Sequence, residues 1–305
     1  MFYVDLDNEE IVDKEKVKKK KSQEVVDEDD EIKGEVHPML FNQYPLCVNH
    51  SLFLLFAEEG LPQVLSDELM VLILQLFKIS NDSRLRIGYN SMGADCIINN
   101  LHVHVLTTDA LFGPDATTFP IETADKSLFF KTNLKHKSAD EIDMYNCGVR
   151  FGEVIGWPLQ TLIISPDITD ESTSLEDAQE SLAHVTGVVV NHLIDANIPH
   201  NMLIADEGMT VYLIPRKFDL LIEGVQFFTS FESLCGMIKF KSEQAFKNAN
   251  ALSIADQLAK EVSYTPEKFN ALKQDLIKKF MTEYEGEIIG SEMEEISTKT
   301  QQMKI

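Results

Sequence analysis

Two of the eight histidines in this 305-residue chain stand one residue apart, His102 and His104 in the stretch NNLHVHVLT, residues 99–107. On a β-strand, residues i, i+2 and i+4 share a face. Asn100, His102 and His104 then form one polar face, and Leu101, Val103 and Val105 form an apolar one suited to a core. Three uses fit such a pair. A zinc site would need a third or fourth protein ligand, and the sequence offers none at local spacing. A neutral imidazole is a good phosphorus nucleophile, because its ordinary pKa of about 6.5 leaves much of it unprotonated near neutral pH. It would need donors for the phosphate oxygens, which strand-face side chains and the backbone N–H groups of the turn YNSMG, residues 89–93, could provide. The third use is ordinary, polar side chains satisfied at a sheet surface, and spacing alone favours it.

Any such site is carried by a chain with a formal net charge of -23 and a hydrophobic fraction of 44%. That fraction is enough to bury a real core. The charge argues against nucleic acid or an anionic membrane as partner, since both are held by basic patches. A small anionic ligand is compatible with it, because local donors decide that contact. Cys47, Cys96, Cys147 and Cys235 follow no metal or redox spacing and lie near apolar residues, so they read as reduced core thiols, which fits a cytoplasmic location. No apolar run is long enough to span a bilayer, and the acidic start MFYVDLDNEE is not a signal peptide.

The elements that must position the histidines follow from pattern. Residues 1–35 carry KEKVKKKK and then DEDDEIKGE, blocks of opposite sign with few apolar residues, and read as a flexible charged lead. LCVNHSLFLLF is an apolar run of strand length interrupted by His50. In SDELMVLILQLFKIS, Ser66 is an N-cap with Asp67 and Glu68 in the first turn, predicting a buried helix. RLRIGYN and CIINNLHVHVLTT predict two strands of a hairpin with Gly93 at its tip. The theme returns later. SLEDAQESLAHVTGVVVNHLIDANIP places Leu175, Ala178, Leu182, Val185 and Leu193 on one helical stripe, and NMLIADEGMTVYLIPR reads as a second hairpin. GMIKFK predicts a further strand. PEKFNALKQDLIKKF is an amphipathic helix opened by Pro266, and residues 282–305 read as an acidic, disordered tail. Hairpins interleaved with helices predict an α+β architecture.

The stretch GYNSMGADCIINNLHVHVL resembles the signature of the histidine triad superfamily, in which an Asn and a Gly-containing turn precede His-φ-His-φ-His on a strand. More narrowly, RIGYNSMGADCIINNLH with the later FPIE is similar to the GDP-hexose phosphorylases, the family of GDP-L-galactose and GDP-D-glucose phosphorylases. IPHNMLIADEGMTVYLIPR, SLCGMIKFKSEQAFKNA and LAKEVSYTPEKF extend the resemblance, in order, over roughly residues 37 to 281. It implies histidine-triad-like antiparallel sheets packed with helices, in two degenerate halves at about 36–135 and 145–281. It also implies a nucleotidyltransferase. His102 matches the nucleophile that attacks the α-phosphorus of a GDP-sugar, releasing hexose 1-phosphate and leaving guanylyl-histidine, from which inorganic phosphate takes the guanylyl group as GDP. His104 matches the third position, a phosphate contact. Asn90, Ser91 and Gly93 fall where the superfamily turn approaches the nucleotide, and His50 matches a strand histidine of relatives. No metal or cofactor is implied.

Two departures stand out. Asn100 occupies the position of the triad's first histidine, a supporting one. Relatives also carry a substantial region before the strand matched by PMLFNQYPLCVNHSLFLLF, where this sequence has its charged lead. These departures favour the alternative reading, a catalytically impaired relative that serves as a nucleotide-binding or protein-interaction module. A homodimer or a protein partner stays open.

Overall fold

The computed structural model describes residues 2–5, 10–13, 36–115, 117–136, 145–169 and 173–289. Twelve strands lie among them: β1 (Phe2–Asp5), β2 (Glu10–Asp13), β3 (Val36–Phe41), β4 (Ser51–Leu54), β5 (Leu85–Asn90), β6 (His102–Thr107), β7 (Lys126–His136), β8 (Gly148–Val154), β9 (Leu162–Asp167), β10 (His200–Ala205), β11 (Thr210–Pro215) and β12 (Tyr284–Ile288). The long helices are α1 (Asp67–Ser80), α2 (Leu175–Asp195) and α3 (Pro266–Glu283). The strands form one sheet in the order β12-β7-β8-β9-β11-β10-β5-β6-β4-β3-β1-β2. Every pairing in it is antiparallel.

The two expected halves are visible in that order. β3-β4-α1-β5-β6 repeats as β8-β9-α2-β10-β11, and the halves join where β5 pairs with β10, Gly88 opposite Leu203 and Asn90 opposite Asn201. One face of the sheet packs on the helices through Phe53, Ile73, Ile87, Val103, Val189, Met202 and Leu213. Burying each such side chain contributes about 1.5–3 kcal/mol. α1 starts as its sequence predicts, with Ser66 accepting from the Leu69 N–H, and at the start of α2 Ser174 forms a capping box with Asp177. Gly187 is where they cross, since a β-carbon there would lie 2.6 Å from the Asp67 Cα. The other face carries Leu106, Leu203, Tyr212 and Ile214 under the segment that follows β11, which contributes Phe231.

Several expectations need correction. The lead is not flexible throughout: β1 and β2 form a hairpin that extends the sheet past β3, and Val4 is fully buried against the main core. Residues 14–35 lie outside the described residues. The tail begins with structure as well. Alternation in residues 284–288 seats Tyr284 in the core as β12 pairs with β7, and residues 290–305 lie outside the described residues. The histidine strand is shorter than predicted, beginning only at His102, because residues 91–101 form a loop rather than a tight hairpin turn. GMIKFK makes one isolated bridge, Phe227 to Phe240, and no strand. Leu175 stands exposed at the start of α2, while Ala178, Leu182, Val185 and Leu193 are fully buried. All four cysteines are free.

Candidate active site

β5 and β6 pair only as far as Gly88 opposite His104. Beyond that point the strands part, and the Gln63 side chain fills the gap. Its amide donates to the Asn90 carbonyl at 3.1 Å and to the His102 carbonyl at 2.9 Å, while its oxygen accepts from the His102 N–H at 2.9 Å. A side chain thus completes the ladder and holds His102 at the mouth of the opening. Gln63 is 1% exposed.

The hydrogen bonds assign the ring tautomers, because a backbone N–H can only donate and a carbonyl only accept. His102 Nδ1 lies 2.7 Å from the Asn100 carbonyl oxygen, so Nδ1 carries the proton and Nε2 keeps its lone pair. The Leu46 N–H donates to His50 Nδ1 at 3.1 Å, which places the His50 proton on Nε2. That Nε2–H donates to His104 Nδ1 at 3.0 Å, so His104 carries its own proton on Nε2. The Asn42 amide nitrogen, 3.3 Å from His50 Nε2, faces a second donor and adds nothing. The row therefore offers one nucleophilic nitrogen, on His102, beside one N–H donor, on His104. The two rings lie 5.4 Å apart by their centroids.

Burial keeps these rings neutral. It pulls His102 below the ordinary histidine value, and the Asn100 carbonyl only partly opposes the shift. His50 is lowered by burial and by the Lys239 charge, against the pull of the Glu232 carboxylate. His104 falls well below, by burial first and then through His50, His102 and Lys239. A phosphorus nucleophile needs this protonation state.

The other residues expected at the site are held by contacts within the protein. His50 enters the sheet from Asn49, whose φ of 67° makes the left-handed corner before β4. Asn100 lies on a bend outside β6, and its contribution to His102 is its backbone carbonyl, which every residue type supplies. The Asn90 side-chain oxygen is buried and accepts from Asn201 at 2.6 Å and from the Phe231 N–H at 2.9 Å. Ser91 Oγ accepts from the His200 N–H at 2.8 Å. Gly93, at φ 79°, turns under Phe218. Asn90, Ser91 and Gly93 thus brace the turn through protein contacts. Among the described residues, no three His, Cys, Asp or Glu side chains gather as a metal site.

The second half supplies residues that no local pattern marked. Asn201 joins Asn90 to the Ala94 carbonyl, at 2.8 Å, and Arg216 Nη1 lies 3.3 Å from its oxygen. Phe231 lies over Gly88 with its ring 5.4 Å from His104, and Glu232 beside it pairs with Lys239. These residues sit 99 or more positions from His102 in sequence, and the pairing of β5 with β10 brings the two halves together.

Comparison with known proteins agrees with this architecture. The family model "GDPGP1-like, N-terminal domain" matches residues 3–106, so it includes the β1–β2 hairpin, and "GDPGP1-like, C-terminal domain" matches residues 133–283. GDP-L-galactose phosphorylase 2 of Arabidopsis thaliana is 26% identical over 177 residues, which are 58% of this chain and 34% of that protein. GDP-D-glucose phosphorylase 1 of Xenopus laevis is 22% identical over 262 residues, 81% of this chain and 58% of that one. The chain thus spans about a third of the Arabidopsis protein's length. The crystal structure of yeast Ap4A phosphorylase Apa2 in complex with Ap4A superposes with a TM-score of 0.51 at 13% identity, over 75% of this chain and 73% of that one, and shows the fold alone. With both domain models matched in order over most of its length, the chain belongs to the GDPGP1-like family.

Proposed function

We propose that this protein is a GDP-hexose phosphorylase acting through His102. Nε2 attacks the α-phosphorus of a GDP-sugar, an Nε2–P bond forms, and the bond from that phosphorus to the bridging oxygen breaks. Hexose 1-phosphate leaves with the bridging oxygen. Inorganic phosphate then attacks the same phosphorus, the N–P bond breaks, and GDP departs. Both steps are displacements at one phosphorus, so the imidazole needs no external oxidant or reductant. His104 donates its Nε2–H to a non-bridging oxygen, where charge grows in each transition state. The Asn100 carbonyl holds the Nδ1 proton and stabilises the ring as it gains positive character.

The observation that carries this reading is the 2.7 Å contact of His102 Nδ1 with the Asn100 carbonyl, which leaves the opposite nitrogen as a lone pair beside the His104 donor. It also tells against the impaired-relative alternative, because the replacement of the triad's first histidine by Asn100 leaves the supporting contact in place. The relatives named GDP-L-galactose and GDP-D-glucose phosphorylase support the choice of a GDP-sugar. The test is phosphorolysis: GDP-glucose and GDP-galactose, each with inorganic phosphate, followed by chromatography of the products. GDP and hexose 1-phosphate should appear in equal amounts with the parent protein and not with His102→Ala. Absence of both products from the folded parent, across GDP-sugars, would remove the reading.

A further inference from the structure

An anionic substrate entering a row of three neutral imidazoles needs a permanent cation, and few are available there. Arg86 is spent on Glu122, in a buried pair at 2.9 Å. Arg216 is fully buried on Asp219 and the Thr229 carbonyl. Lys239 is different. Phe231 packs on His104, Glu232 follows it, and Glu232 carries the Lys239 ammonium on one carboxylate oxygen. The same ammonium lies 5.4 Å over the ring of Phe228, and its side chain keeps 27% of its surface exposed, so it is open to solvent rather than sealed in the core. Its charge is felt by both His50 and His104.

Glu232 explains how the lysine waits there. The carboxylate is 3% exposed, and its second oxygen has no hydrogen-bond partner among the described residues. A buried carboxylate in that state holds a cation firmly, since losing it would leave an uncompensated charge. The segment is fixed as well: the Lys239 carbonyl accepts from the Phe228 N–H at 2.8 Å, and the Glu232 carbonyl accepts from the Met237 N–H at 2.8 Å. An ammonium has three donors, and Glu232 uses one face of it.

We propose that Lys239 is the anion-binding cation of the histidine site, held in place by Glu232 and donating to a non-bridging oxygen of the phosphate that His102 attacks. The proposal rests on the phosphoryl-transfer reading above and adds to it a residue from the second half of the chain. Lys239 binds the charge of the ground state and the larger charge of the transition state, so its removal affects affinity and rate together.

The experiment compares Glu232→Gln with two double variants, Glu232→Gln/Lys239→Met and Glu232→Gln/Lys239→Arg. The buried acid is absent from all three, so differences report the cation alone. GMP binding is measured by calorimetry, and transfer of label from α-phosphate-labelled GDP-glucose to protein is measured by quenched flow. The Met variant should bind GMP at least about tenfold more weakly than Glu232→Gln. It should take up label at least about a hundredfold more slowly. The Arg variant keeps the charge and should stay within about threefold of Glu232→Gln in GMP affinity. Equal binding and labelling by Glu232→Gln and the Met variant would overturn the role of Lys239 while leaving His102 chemistry standing. Equal losses in the Met and Arg variants would make the position structural and overturn it too. A folded parent that neither binds GMP nor takes label removes both proposals.

Discussion

His102 is oriented by a backbone atom, the carbonyl of Asn100, 2.7 Å from its Nδ1. The side chain at position 100 is therefore free to vary in a way that the histidine-triad pattern does not suggest. Loss of a group that sets a catalytic tautomer costs about 10⁴ in rate. Asn100→Ala keeps the carbonyl and should leave the labelling rate within about tenfold of the parent. A loss of about a thousandfold or more would put the side chain itself in the chemistry.

Gln63 is the residue whose loss should displace the nucleophile most. Gln63→Leu leaves the His102 N–H, the His102 carbonyl and the Asn90 carbonyl without their bonds, in a place water does not reach. Each buried group left unpaired costs about 1–3 kcal/mol. Urea unfolding should show a loss of several kcal/mol, and hydrogen exchange at the His102 amide should accelerate. An unchanged unfolding midpoint would mean that β5 and β6 hold the opening without the amide.

Gly88 has no room for a side chain. A β-carbon there would fall within the Phe231 ring, which lies against His104. Gly88→Ala should destabilise the protein by about 1–3 kcal/mol, the usual cost of overpacking. Adding Phe231→Leu should recover part of that loss, because the two positions share one space. Strict additivity of the two substitutions in denaturant melts would contradict the contact.

Acid should weaken the fold from inside the core. His200 is 1% exposed, its Nδ1 bonds the Ile198 carbonyl at 3.1 Å, and its Nε2 has no partner among the described residues. Burial lowers it from the ordinary 6.5 to about 4. The unfolded chain binds this proton more tightly than the folded one, so stability is lost as pH falls from about 6.5 towards 4, by about 3 kcal/mol in total. Burial pulls His50, His102 and His104 in the same direction. His200→Leu should flatten the dependence of unfolding free energy on pH in that window. A slope equal to the parent's would place the proton uptake elsewhere.

Much of this arrangement was legible in the sequence. Ser66 marked the start of α1, and alternation put Leu101, Val103 and Val105 in the core with the histidines on the opposite face. The resemblance carried His102, His104 and His50 to one row. What the pattern could not show was the partner of each polar group. Asn90 and Ser91 read as ligand donors, yet their side chains are turned to Asn201 and His200 by a pairing of halves that no local window contains. Glu232 and Lys239 stand seven residues apart in a stretch whose alternation reads as a strand, so the turn that brings them together was hidden. The charged lead misled for another reason: charged residues of both signs dominate its composition, and the short strand around Val4 gains its stability by adding to β3.

The central claim is a covalent bond between His102 Nε2 and the α-phosphorus of a GDP-sugar. It is tested most directly by incubating the protein with α-phosphate-labelled GDP-glucose or GDP-galactose without inorganic phosphate, quenching in base, and mapping the adduct by mass spectrometry. A guanylyl group on the His102 peptide is the predicted result, stable in base, lost in acid, and discharged as labelled GDP when phosphate is added before the quench. Label on another residue, or no label on folded protein with any GDP-sugar, would contradict it.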